Sequence, residues 1–210
     1  MFEIFAFTII LSIKFLLFPT YHSTDFEVHR NWKAITTSLP IREWYFNDFS
    51  EWTLDYPPLF AYFEYILGRI SKFFDKDITS LEKQFYNSPI CQIYMRSTVL
   101  LGDFLLFFAL RRFCRIIKLS YHKYLIVIFA IMFNAGLVII DNIHFQYNAL
   151  LFGLFFISLG YIANKQYILG AVFYTICLCM KHIFIYFAPA YFLFYFNYFN
   201  SILCRISNSR

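Results

Sequence analysis

Apolar and polar positions fall along this chain in long blocks, not in the short periods of a soluble domain. Residues 4–18 are apolar except for Thr8, Ser12 and Lys14, and further apolar runs cover 90–113, 124–140, 148–163, 167–180 and 183–199. A helix crossing a bilayer needs about 20 apolar residues, so these runs predict six spans, the first and fifth short. A cleaved leader is the rival reading of 4–18. Against it stand Glu3 in place of a basic residue and the lack of a small-residue cleavage site after the run.

The stretch 21–89 is polar for about seventy residues, yet too aromatic for a disordered linker. Thr24 and Glu27 have capping-box spacing, and Val28, Trp32, Ile35 and Leu39 recur at helical spacing until Pro40. Asp55-Tyr56-Pro57-Pro58 predicts a stiff turn. Beyond it Leu59, Tyr62, Phe63, Ile66, Leu67, Ile70, Phe73 and Phe74 line one side of a second helix. Such aromatic helices are expected along the membrane surface. The predicted architecture is all-α: one membrane domain over 1–210, a polytopic transmembrane helical bundle with a long loop bearing interfacial helices and a tail at 200–210.

Composition sharpens this. With 60% hydrophobic and 15% charged residues and a mean hydropathy of +0.56, an ordinary soluble domain is excluded. The net charge of +5 does not point to nucleic acid, because ten of the thirteen acidic residues lie between positions 21 and 90 beside seven basic ones. Arg111, Arg112, Arg115, Lys118 and Lys123 share one connection without an acid. By the positive-inside rule it is cytosolic, which puts the N-terminus, Arg205 and Arg210 in the cytosol. The loop 21–89, residues 141–147 and Lys181-His182 then face the lumen. The five cysteines show neither disulfide nor zinc spacing and read as packing residues.

Three polar clusters share that lumenal face: Asp25 to Arg30, Asp55 with its prolines, and Asp141 to Asn148. A helix continued through the last would set Asp141, His144 and Asn148 on one side. Each cluster also has a plain structural reading. Asp25 and Glu27 suit a first helical turn, Asp55 suits a turn, and the 144–148 cluster suits interhelical hydrogen bonding. Lys181 can snorkel, and Asp103 can pair with Arg96 or Arg111. A transporter using Asp103, Arg96 and Asp141 needs a polar path, and the spans other than the second are nearly free of charge in their middles.

The motifs Ser23-Thr24-Asp25-Phe26-Glu27-Val28-His29-Arg30-Asn31-Trp32, Ser50-Glu51-Trp52-Thr53-Leu54-Asp55-Tyr56-Pro57-Pro58 and Ile143-His144-Phe145-Gln146-Tyr147-Asn148 occur in that order. Together they resemble the dolichyl-phosphate-glucose-dependent α-1,3-glucosyltransferases that glucosylate the lipid-linked precursor of N-glycans in the endoplasmic reticulum membrane. The resemblance covers roughly residues 18–195. Thr24, Val28-His29, Thr53 and Ile143 look like the enzyme that adds the second glucose; the first-glucose enzyme of the same family is the alternative.

This resemblance implies a GT-C fold with its catalytic acid at Asp25. It also implies inverting transfer from dolichyl phosphate glucose onto a dolichyl-diphosphate-linked oligosaccharide, at the lumenal face and with neither metal nor cofactor. Inversion asks for one base and, since phosphate leaves readily, for positive charge and hydrogen-bond donors around it. Arg30, His144 and Lys181 are candidates to supply the charge, and Gln146, Tyr147 and Asn148 to donate or orient. Glu27 and Asp55 join them as substrate-binding candidates. Family members are longer with more spans, so the chain is expected to correspond to their N-terminal part. A catalytically incompetent relative that only binds dolichol-linked lipid or partners is the other alternative.

Overall fold

The computed structural model describes residues 2–207, and among them the regular structure is helical, without a β-strand. The helices are α1 (Phe2–Leu16), α2 (Thr24–Ser38), α3 (Pro58–Ser71), α4 (Pro89–Ile116), α5 (Tyr121–Met132), the single turn α6 (Ala135–Leu137), α7 (Asn148–Ala163), α8 (Tyr167–Met180) and α9 (Ala188–Ser207). A π-helical stretch, Val138–Phe145, follows α6, and a 3-10 stretch, His182–Phe187, precedes α9. Residues 200–207 of the expected tail continue α9, and 208–210 lie outside the described residues.

Among the described residues, two segments are long and apolar enough to cross a membrane, Pro89–Ile116 and Tyr121–Phe145. The shorter apolar helices α7 and α8 coincide with the runs at 148–163 and 167–180. Large apolar side chains such as Phe5, Ile9, Leu101, Phe108, Ile126 and Ile168 stand exposed on the outside. An apolar surface this extensive suits lipid contact far better than water.

The expected sixth helix begins late. Residues 182–187 wind as a 3-10 stretch, and the α-helix starts at Ala188. Pro189 explains this, since proline is tolerated in a first helical turn but clashes with the turn before it inside a helix.

Helices α4 and α7 form the most extensive pairing in the fold. A Cβ on Gly102 would come within 2.9 Å of the Leu150 backbone nitrogen, and one on Gly153 within 3.0 Å of the Leu106 nitrogen. The two backbones touch there. Gly102→Val should therefore force them apart at a cost of about 1–3 kcal/mol, the usual penalty of overpacking. Thermal unfolding of the membrane-reconstituted protein would read this as a lower transition.

Two buried charges in α1 and α4 meet each other. Lys14 Nζ lies 2.5 Å from Asp103 Oδ1 with both side chains fully buried, whereas Arg111 pairs with Glu3 at 2.6 Å. Asp103 is thus partnered across helices and not by Arg96 or Arg111, because Lys14 is the cation that faces it at the same depth.

Within 21–89, α3 keeps one side exposed through Tyr62, Ile66 and Ile70, but α2 does not. α2 is buried nearly all round, from Phe26 and Glu27 through His29 to Thr36. It packs on α3, and Trp32, Ile35, Phe60 and Ala61 share a core with Met95 of α4 and with Tyr147 and Leu151. Each large side chain enclosed there contributes about 1.5–3 kcal/mol. The polar side of α2 escapes water because α3 brings a carboxylate to meet it: Glu64 Oε2 accepts from Lys33 Nζ at 2.6 Å, and Glu64 Oε1 lies 2.7 Å from His29 Nδ1.

Candidate active site

The start of α2 sets the site. Ser23, not Thr24, caps the helix: its Oγ accepts from the Asp25 backbone N–H at 3.2 Å and itself donates to the carbonyl of His144. The box predicted from Thr24 and Glu27 does not form, because the helix starts one residue earlier and Glu27 turns to Arg30 instead. With Ser23 in the capping role, the Asp25 carboxylate is available for other partners.

Those partners come from the segment after α6. Asn134 opens this turn by accepting from the Leu137 N–H at 3.0 Å, and the chain then widens into the π-helical stretch. Such stretches recur at functional sites. Between the expected spans at 124–140 and 148–163 the helix does not persist through 141–148: it breaks at Phe145, whose φ of 82° lies in the left-handed region. For a bulky side chain that conformation is strained, and it is held here by the complete burial of Phe145 against Phe26 and Tyr147. With Phe145 turned inward, His144 and Gln146 on either side of it both reach Asp25.

His144 Nε2 lies 3.0 Å from Asp25 Oδ2, and Gln146 Nε2 donates to the same oxygen at 2.9 Å. The pair is open, with side-chain exposures of 28% for Asp25 and 45% for His144. Gln146 carries the network onward, its Oε1 accepting from Lys181 Nζ at 3.2 Å and from Asn148 Nδ2 at 3.0 Å. Asn148 Oδ1 also accepts from Lys181, at 3.1 Å.

Asp141 does not join Asn148 and His144 on an open stripe. Its carboxylate is buried and caps α7, accepting from the Asn148 N–H at 3.1 Å and the Ala149 N–H at 2.6 Å. Lys181 lies in the bend after α8, 5.3 Å from the centre of the Tyr56 ring. Burial lowers the Lys181 amine from its ordinary value, opposed by the charges of Asp141 and Asp25. Burial first, and then the negative charges of Asp55 and Asp25, push the Tyr56 phenol up to about 12, so at neutral pH it remains an O–H donor.

The sequence-derived candidates thus divide. Asp25, His144, Gln146, Asn148 and Lys181 form one connected network. Asp55 is exposed on the turn beside Tyr56. Glu27 and Arg30 pair with each other at 2.6 Å, and the Arg30 Nη1 also donates to the carbonyls of Ile78 and Ser80 at 3.0 and 3.1 Å. Tyr147 is buried, its hydroxyl 3.2 Å from Lys33 Nζ and 2.8 Å from the Thr98 hydroxyl.

One residue that this geometry depends on is not among the site candidates in the sequence, where it suggests a partner for Asp103 or part of a polar path. Arg96 is buried on α4 and donates to the carbonyls of Thr20 at 3.1 Å, Tyr21 at 3.0 Å and Asn142. It ties the linker before Asp25 to the π-helical stretch before His144. Arg96→Ala should destabilise the protein by about 1–3 kcal/mol through unsatisfied buried carbonyls. It should also loosen the contact between Asp25 and His144. Unfolding measurements together with hydrogen exchange at residues 20–26 and 141–146 would show both effects.

Helices with broad exposed apolar sides, and an open carboxylate joined through Gln146 to a cation, describe a membrane protein that carries a polar network. Comparison with known proteins makes the class definite: residues 10–208 match the ALG6, ALG8 glycosyltransferase family, and the chain belongs to it. It is 46% identical over 186 residues to the mouse protein named dolichyl pyrophosphate Glc1Man9GlcNAc2 alpha-1,3-glucosyltransferase, a match covering 85% of this chain and 35% of that protein. The Saccharomyces cerevisiae protein of the same name is 47% identical over 193 residues, covering 88% of this chain and 32% of its own length. For the Kluyveromyces lactis protein, also of that name, the figures are 46% over 189 residues, 87% and 33%. The chain therefore spans about a third of the length of these relatives.

Proposed function

We propose that the chain is a hexosyltransferase that moves glucose from dolichyl phosphate glucose to the lipid-linked Glc1Man9GlcNAc2 oligosaccharide, at the lumenal face of the endoplasmic reticulum membrane. The observation that carries this reading is the open Asp25 carboxylate, held by His144 and Gln146 next to Lys181. The acceptor is the one in the names of the relatives, and Val28-His29 and Ile143 support the second-glucose step over the first.

In this reaction Asp25 takes the proton of the acceptor hydroxyl as its oxygen attacks the glucosyl C1 from the face opposite the phosphate. The C1–O bond to phosphate breaks with its electron pair leaving on the phosphate, and the β-linked donor yields an α-linked product. Developing negative charge falls within reach of Lys181 and the amide donors. His144 and Gln146 aim the carboxylate, and Asn148 holds Lys181. Asp55 and Tyr56 offer groups for sugar hydroxyls. Glu27, Arg30 and Tyr147 contribute to substrate binding from behind, by fixing α2 and the segment that carries Gln146.

The membrane arrangement that fits this chemistry has six spans. They are α1, α4, the run at 124–140, α7, α8 and α9, with 21–89 and 141–147 in the lumen as part of a single membrane domain.

The test is transfer of labelled glucose by the reconstituted chain, with singly glucosylated and unglucosylated acceptors in parallel. Product on the singly glucosylated acceptor is expected. Product on the unglucosylated acceptor alone would move the chain to the first-glucose step. Capture of the lipid donor with no transfer to either would leave a binding protein.

A further inference from the structure

The loop 80–88 carries chemistry that the network at Asp25 leaves unused. Phe85 has a φ of 54°, left-handed backbone that a bulky side chain rarely adopts, and it is 63% exposed. Its ring meets Trp52 edge to face, with the ring centres 5.4 Å apart. Phe49 stands exposed alongside, its carbonyl accepting from Gln84 Nε2 at 3.1 Å. The loop is held from behind: the Tyr86 and Ser88 hydroxyls donate to Asp75 Oδ2 at 2.7 and 2.9 Å, and Lys83 Nζ pairs with Asp77 at 2.6 Å. An open depression of about 640 Å³ around Phe85 is rimmed by Glu82, Gln84 and Asn87.

This surface adjoins the turn that carries the base. Asn87 Nδ2 lies 3.0 Å from Nε2 of His22, just ahead of Asp25 in the chain, and the Trp52 carbonyl accepts from Asn31 Nδ2 of α2 at 3.4 Å. The geometry points to a subsite for the sugars that do not react: the rings of Phe85 and Trp52, with the amides beside them, hold mannose residues of the acceptor oligosaccharide. This rests on the glucosyltransferase reading above and deepens it.

The choice of ligand follows from chemistry. A pyranose has an apolar face of C–H groups and a girdle of hydroxyls. Exposed rings suit the first, since their negative faces attract polarised C–H groups. Side chains able to donate and accept suit the second, and the Gln84 Oε1, the Asn87 Oδ1 and the Glu82 carboxylate engage no partner among the described residues. Lipid fits less well, because Asp48, Glu51, Glu82 and Lys83 are exposed among the rings and charge resists transfer into hydrocarbon. Only one hydroxyl of the acceptor can occupy Asp25, while the oligosaccharide in the relatives' name has many more sugars to place.

The test uses the full chain in nanodiscs and the free Glc1Man9GlcNAc2 oligosaccharide, which has no lipid to anchor it. Phe85→Asn removes the ring, and asparagine accepts left-handed backbone readily, so its unfolding transition should match or exceed the native one. Its affinity for the oligosaccharide should fall about fivefold, the loss of one stacking contact. KM for the lipid-linked acceptor should rise by the same factor with kcat unchanged, because Asp25, His144 and Lys181 are untouched. Phe85→Tyr keeps the ring and should bind as the native chain does.

Native-level affinity in Phe85→Asn, or a native KM despite weaker binding, would overturn the proposal. So would quenching of Trp52 fluorescence by brominated acyl chains in the nanodisc, read as the native signal less that of Trp52→Phe, since it would put the rings in the bilayer. Oligosaccharide binding that depends on Phe85, without any transfer by the native chain, would uphold the sugar subsite and overturn only the transfer reading.

Discussion

Asp25→Asn should leave the protein folded and cut glucose transfer by about 10²–10⁴-fold, the range expected when a general base is removed. Asparagine keeps the size of the side chain and one oxygen to accept from Gln146, so the local network survives while the proton acceptor is lost. Donor capture should stay near the native level, because Lys181 is untouched. The measurement is initial rate of transfer with both lipids saturating, backed by complementation of a strain lacking the second-glucose enzyme. Full activity or full rescue by Asp25→Asn would remove Asp25 from the role of base. His144→Gln is the informative companion. It retains a donor beside Asp25 and should fall well short of the loss seen in Asp25→Asn.

Glu64→Gln should cost about 3–5 kcal/mol of stability, since it leaves the Lys33 ammonium buried without its counter-charge. Lys33 and Glu64 are both fully buried, and His29 shares the carboxylate. The double variant Lys33→Met with Glu64→Gln should recover much of the loss, because it removes the stranded charge as well as the pair. Chemical unfolding of the reconstituted protein reads both values, and equal stability of the single and double variants would contradict the argument.

The same cluster sets a pH dependence. Burial lowers the His29 imidazole, against the opposing pull of Glu64. As pH falls through the ordinary histidine value of about 6.5, the unfolded chain takes up a proton that the folded one refuses, and stability declines. Burial acts to raise the Glu64 carboxyl, but Lys33 and His29 outweigh it and hold the group below its ordinary value. Its contribution is therefore complete above about pH 4.3 and disappears only as pH falls through the lower folded value. Between those limits the decline belongs to His29, and His29→Asn should flatten it.

How legible the molecule was in its sequence differs from place to place. The runs at 148–163 and 167–180 became α7 and α8 with those same ends, because each is a continuous apolar stretch closed by polar residues at Asn164 and Lys181. The end of α5 at Met132 is not legible, because the apolar residues 135–140 carry the run on past it. Asn134 opens one turn, Phe145 takes a left-handed backbone conformation, and Asp141 spends its carboxylate capping the next helix.

On α2 the apolar stripe was visible, but a polar one lies beside it: Asp25, His29 and Lys33 recur every four residues on one face. That spacing could have flagged His29 and Lys33. It could not have named Glu64 as their partner, because the partner depends on how α3 crosses α2. The site divides in the same way. The motifs point to Asp25, His144, Gln146 and Asn148, and the topology to Lys181, while the separation of Glu27 and Arg30 into a pair of their own is a matter of helix rotation that spacing does not reveal.

The Lys14–Asp103 pair also bears on how the protein is made. Its members stand 89 positions apart in the chain, and with α1 and α4 both crossing the bilayer as proposed, Lys14 leaves the ribosome long before its counter-ion exists. A lone ammonium at depth costs about 2.5–3.5 kcal/mol on insertion scales. The first helix is therefore a weak membrane entrant by itself, and it settles when the fourth arrives. Synthesis of the intervening segment would be complete before its two flanking helices close on each other, which gives α2 and α3 time to find one another first.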